Sequence, residues 1–133
     1  MAVTDAKADP PRPHGLSRFD RLRATRDFQR AYDAGRAWHG KHVVIFICAN
    51  ELPQIRMGVS VGKKHGGAVR RNRLKRVLRA AFRACRDELP AGYDFVLVPR
   101  RGEQILTVES ACEELHRMVR RQGWSAPHEA GRK

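Results

Sequence analysis

Between Lys63 and Arg86 the sequence has no acidic residue at all. Acids are scarce throughout: 14 Asp and Glu stand against 27 Lys and Arg, a net charge of +13 over 133 residues. Such a balance points to nucleic acid or an anionic membrane surface as partner. Lysine is scarce too, with 6 against 21 arginines. Guanidinium suits bidentate phosphate contacts and stacking on bases, although GC-rich codon usage would give the same ratio. The three cysteines, Cys48, Cys85 and Cys112, lie far apart and form no CxxC pair. That excludes the usual zinc spacings and leaves buried, reduced thiols as the expectation. The longest apolar run, Val43 to Ala49, is far too short to span a bilayer, and the first residues hold no apolar core of signal-peptide length. A cytoplasmic protein with no membrane partner is expected. The length suits one domain.

Catalytic constellations are also missing. The histidines show no HExxH spacing, and neither a G-x-S-x-G elbow nor a Walker glycine loop occurs. "VGKKHGG" lacks the GK[ST] ending of a phosphate loop. Glu113 and Glu114 are expected on a surface helix, where adjacent residues do not converge. No catalytic residue and no metal site is therefore assigned. If the chain serves an enzyme, something else supplies the active site.

Residues 1–17 and 124–133 read as tails without periodicity, flanking a domain over 18–123. Thr25 is placed to cap a short helix, with Asp27 in its first turn. Phe28, Ala31 and Tyr32 share one face of it, and Gly35 supplies the stop. A weak strand is expected over 36–41 and a strong one over 42–49. After the turn "NELPQ", Ile55, Met57, Val59 and Val61 alternate with polar or small residues. This predicts a half-buried strand antiparallel to the one before. Leu74, Val77, Leu78, Ala81, Phe82, Cys85 and Leu89 then form a helical stripe, with Asn72, Lys75, Arg76, Arg79, Arg83 and Arg86 opposite and Pro90 and Gly92 at the end. "YDFVLVP" reads as a buried strand. A last helix begins at Glu103 or Thr107 and reaches Gln122, with Val108, Ala111, Cys112, Leu115, Met118 and Val119 inward. The order is α-β-β-β-α-β-α, an α/β two-layer sandwich with a sheet of about four strands.

The sorting of charge on the third-last element is the main functional signal. A merely solvated helix face usually carries both signs. A membrane-surface helix needs a large exposed apolar face, and here that face is claimed by the strands. A helix-turn-helix reader needs a helix closely ahead of the recognition helix, and a strand stands there. RNA or DNA remains, and an RNA-binding protein of the ribosome or its assembly fits the composition equally well.

The stretch "KKHGGAVRRNRLKRVLRAAFR" resembles the signature of the bacterial ribonuclease P protein subunit, in Lys63, Lys64, Gly67, Ala68, Val69, Arg71, Asn72, Lys75, Arg76 and Arg79. "LRATRDFQRAYDAGR" is similar to that family's first helix, and "VVIFI", "MGVSVGKK" and "YDFVLVPRR" to its strands. The likeness runs from about Leu16 to Gly123. It implies one α/β domain with a left-handed crossover around the basic helix, where general rules favour a right-handed one. It also implies that a large RNA subunit cuts the 5′ leader from precursor tRNA using Mg²⁺ bound mainly by that RNA. The protein alone would be inactive, and no obligate protein partner is expected. Its partners would be the catalytic RNA and the precursor tRNA leader. Arg71, Asn72, Arg73, Lys75, Arg76 and Arg79 would meet the catalytic RNA, unless Asn72 instead orders the loop before its helix. Phe28, Tyr32 and Phe46, with Ser60, Lys63 and Lys64, would line a cleft for the single-stranded leader.

Overall fold

The computed structural model describes residues 21–34, 36–100 and 106–123. Their order is α1 (Thr25–Asp33), β1 (Ala37–His39), β2 (Val43–Ala49), β3 (Arg56–Val59), α2 (Ala68–Cys85), β4 (Tyr93–Pro99) and α3 (Val108–Arg121), with 3₁₀ turns at Lys63–His65 and Arg86–Glu88. Both proposed tails, Gly35 and the possible helix start at Glu103 lie outside the described residues.

Alternation decides the layers. Val43, Ile45 and Ile47 of β2, Met57 of β3, and Phe95 and Leu97 of β4 face one side, where they meet the apolar stripes of α2 and α3. Sheet and helices there form the expected two-layer sandwich. Cys48 and Val96 point to the other face, against Leu22 and Ala31, with Phe28, Tyr32, Phe46 and Val98 packed around them half-buried. Among the described residues, α1 covers part of the second face and the rest is open.

The sheet order is β1-β2-β4-β3. β1 with β2, and β2 with β4, are antiparallel, while β3 and β4 are parallel. β3 does run opposite to β2, as expected, but the two are not paired, because β4 lies between them. The turn explains this. Asn50 Nδ2 donates to Gln54 O (3.2 Å), and Leu52 N donates to Asn50 Oδ1 (2.8 Å). Asn50 N donates to Gly92 O, and Gly92 N to Gln54 O, both at 2.9 Å. The turn is thus braced on the segment entering β4, which holds β3 one strand-width away from β2.

Two local expectations change and one is settled. Thr25 is the first helical residue, and Ala24 occupies the N-cap without a side-chain bond. For α3 the start is settled at Thr107, which caps Ser110 N (3.0 Å) while Ser110 Oγ accepts from Thr107 N (3.1 Å). Glu114 is not on the surface. It is 1% exposed, and its carboxylate accepts from His42 N (2.6 Å) and Val43 N (3.0 Å). It thereby pins the β1–β2 hairpin to α3. Gly40 stays bare because a Cβ there would strike Glu114 Oε1. The cysteines are free, as expected, with Cys48 and Cys85 buried.

Candidate RNA-binding surfaces

The loop before α2 fixes how the basic helix is presented. His65, 5% exposed, anchors it. Its Nδ1 accepts from Gly62 N (3.0 Å), so the ring proton sits on Nε2, which donates to Pro99 O (2.7 Å). The loop is therefore tied to the end of the central strand. Gly66 takes φ +117°, a left-handed value that favours glycine. Arg70 Nε donates to His65 O (2.8 Å) and Arg71 Nε to Gly66 O (3.1 Å). These contacts order the loop; Asn72 is exposed and takes no part in them. No sequence pattern singled out His65.

On α2 the expected division holds. Leu74, Leu78, Ala81, Phe82 and Cys85 are buried. Asn72, Arg73 and Arg76 are exposed, and Arg71, Lys75 and Arg79 are half-buried. Arg73 Nη2 reaches Leu106 O at 3.3 Å. Burial, and then the like charges of Arg21 and Arg83, lower the pKa of Arg79. Guanidinium groups crowd here, and an incoming polyanion would relieve that repulsion.

The second surface lies where α1 crosses the other sheet face. Strand register sets three rows there: Arg56–Asp94–Cys48, then Gly58–Val96–Phe46, then Val98–Val44. Ser60 N donates to Leu97 O (3.0 Å), which carries β3 on beside the last row. Phe28 lies on Gly58, where a Cβ would come within 2.5 Å of its ring. Tyr32 meets Phe46 edge-on, with centroids 4.9 Å apart and planes at 81°. All three aromatics are half-buried, as is Ser60, and Lys63 and Lys64 are exposed. The structure thus brings Phe28, Tyr32 and Phe46 into one apolar patch. The two lysines stand in the 3₁₀ turn that follows Ser60.

One cluster holds this surface together. Asp94, fully buried, accepts from Arg56 Nε and Nη2 (both 2.8 Å), Asn50 Nδ2 (2.8 Å) and Arg30 Nη2 (3.0 Å). Burial pushes the carboxyl up, but the bonds from Arg56, Asn50 and Arg30 outweigh it and hold its pKa below the usual range. Asp27 of α1 lies 3.5 Å from Arg30 and 3.9 Å from Arg56. Helix α1, β3, β4 and the turn after β2 meet at this carboxylate. A lone acid inside the apolar run "YDFVLVP" was the signal for it, because a buried carboxylate demands partners.

Burial, helped by Cys112 and Glu88, pushes the Cys85 thiol up to about 12. Among the described residues no three His, Cys, Asp or Glu side chains gather where they could hold a metal ion, and no helix is long and apolar enough to cross a membrane.

Comparison with known proteins agrees with this geometry. The family model for ribonuclease P matches residues 16–123. The ribonuclease P protein component of Oleidesulfovibrio alaskensis is 40% identical over 109 residues, covering 79% of this chain and 87% of that protein. That of Clostridioides difficile is 33% identical over 107 residues, covering 80% and 94%. Among solved structures, the Staphylococcus aureus RNase P protein superposes with a TM-score of 0.68 at 29% identity, covering 80% of this chain and 97% of that one. The Thermotoga maritima protein gives 0.67 at 31%, covering 76% and 96%. With this fold, a one-sided basic helix and relatives matched over nearly their whole length, the chain belongs to the ribonuclease P protein family.

Proposed function

We propose that this chain works as the protein component of ribonuclease P through two separate RNA surfaces. The outer side of α2 docks on the catalytic RNA. The half-open face between α1 and the sheet holds the single-stranded 5′ leader of precursor tRNA. The observation that carries the reading is the division of α2: a basic outer side, in a stretch free of acids from Lys63 to Arg86, backed by an apolar side on which Leu74, Leu78, Ala81, Phe82 and Cys85 are buried. Structured RNA is met mainly through its backbone and shape, for which Arg71, Asn72, Arg73, Lys75, Arg76 and Arg79 are suited. Single-stranded RNA wants stacking platforms flanked by positive charge. Phe28, Tyr32 and Phe46 supply the platforms, and Ser60, Lys63 and Lys64 follow at the end of β3.

In this reading the endonuclease is the ribonucleoprotein. The RNA performs the cut and binds Mg²⁺; the protein binds, orients and screens charge. The test is reconstitution. RNA-free protein from a nuclease-deficient host should leave precursor tRNA intact, and adding catalytic RNA with Mg²⁺ should release the leader. Cutting at the mature 5′ end by the protein alone would overturn the assignment of catalysis to RNA.

A further inference from the structure

At the start of α2 the surface carries something that phosphate binding does not need. Val69 is 84% exposed, and Leu52, at 39%, is the next most exposed large apolar side chain among the described residues. A single exposed valine is ordinary, but this one borders an open cavity of about 630 Å³. Buried Leu74 and Leu106 contribute to the lining, with Arg70 and Arg73 beside them. Both arginines are held by backbone oxygens: Arg70 Nε on His65 O at 2.8 Å, and Arg73 Nη2 on Leu106 O at 3.3 Å. Gly67 adds no side chain at the rim, and a Cβ there would meet nothing within 4 Å.

We infer that this cavity takes an unstacked nucleobase of the catalytic RNA; the inference rests on the reading of α2 as the catalytic-RNA surface. A phosphate needs cations and gains nothing from Val69, Leu74 and Leu106. A base has apolar faces for those side chains, and guanidinium groups stack on such faces. Charge selects RNA over an apolar peptide. The cavity opens within a stretch that contains no acid, and a base brings its own phosphate into that field.

The test is binding of the full-length protein to catalytic RNA transcribed from the same genome, measured across a salt series. Val69→Ala should weaken binding about tenfold, as expected for two CH₂ groups no longer buried, with an unchanged salt slope because no charge is lost. Val69→Lys should also weaken binding although it adds a cation. Both variants should melt like the parent, since the side chain is exposed. Parent-like affinity for Val69→Ala, with tighter and steeper salt-dependent binding for Val69→Lys, would overturn the inference and assign this surface to phosphates alone. The Arg71→Ala/Lys75→Ala/Arg76→Ala protein serves as the control arm. If its binding is unaffected, the reading of α2 itself fails, which is a separate result.

Discussion

The outer side of α2 and the face beneath α1 are both rich in arginine, yet they treat it oppositely. On α2 the arginines have no acid within their own stretch, and burial and like charge lower the pKa of Arg79. Beneath α1, Arg30 and Arg56 converge on the buried Asp94, with Asp27 close by. The pKa of each is raised, chiefly by its hydrogen bond to Asp94. The first set lies in a stretch with no acid of its own, whereas the second is consumed in holding a helix on a sheet. Residue type alone would not tell the two sets apart. Their counter-charges separate the ridge proposed to bind phosphates from a structural clamp beside an aromatic patch.

The largest expected effect comes from breaking the clamp. Asp94→Ala should cost about 3–5 kcal/mol, because removing one partner of a buried pair strands the others. Urea unfolding would measure it; a loss below about 1 kcal/mol would mean that α1 is held by packing alone. The pH dependence has a definite sign. Since the folded-state pKa of Asp94 lies below its unfolded value of 3.8, its contribution is present above that value and is lost as pH falls through the folded one. The stability gap between parent and variant should therefore be constant from neutral pH down to about 5 and shrink only below 3.8.

A smaller and more selective effect is expected at the platform. Phe28→Ala or Tyr32→Ala should weaken binding of leader-bearing precursor tRNA to the holoenzyme by about 1–3 kcal/mol per unstacked base, or roughly five- to 150-fold. Mature tRNA, which has no leader, should bind nearly as before. Measurement well below the melting temperature is needed, because Phe28 also packs on Gly58. Equal losses for both tRNAs together with a lowered melting temperature would show that these rings serve only as core.

Much of this was legible in the residues. The stripe from Leu74 to Leu89 and the run "YDFVLVP" marked α2 and β4, because helical and strand periods differ and the runs are long. The strand order was not, because pairing depends on how the turn after β2 is braced against Gly92, a contact across 42 residues between Asn50 and Gly92. Glu114 could have been placed. It sits between Ala111 and Met118 on the inward stripe, and its spacing outweighed its charge once two backbone N–H groups were there to meet it. His65 could not, since its partners Gly62 and Pro99 come together only in the fold. The basic side of α2 and the aromatic trio were legible as groups. Their separation into a ridge and a platform depends on which face of the sheet each helix covers.

The most direct test of that separation is the salt dependence of catalytic-RNA binding, compared for two variants side by side. In Arg71→Ala/Lys75→Ala/Arg76→Ala each lost phosphate contact should reduce the log–log slope by about 0.7–0.9, while the helix persists on its untouched apolar stripe. In Phe28→Ala/Tyr32→Ala the slope and the affinity for catalytic RNA should match the parent. An unchanged slope in the first protein, or an equal fall in both, would contradict two distinct RNA surfaces.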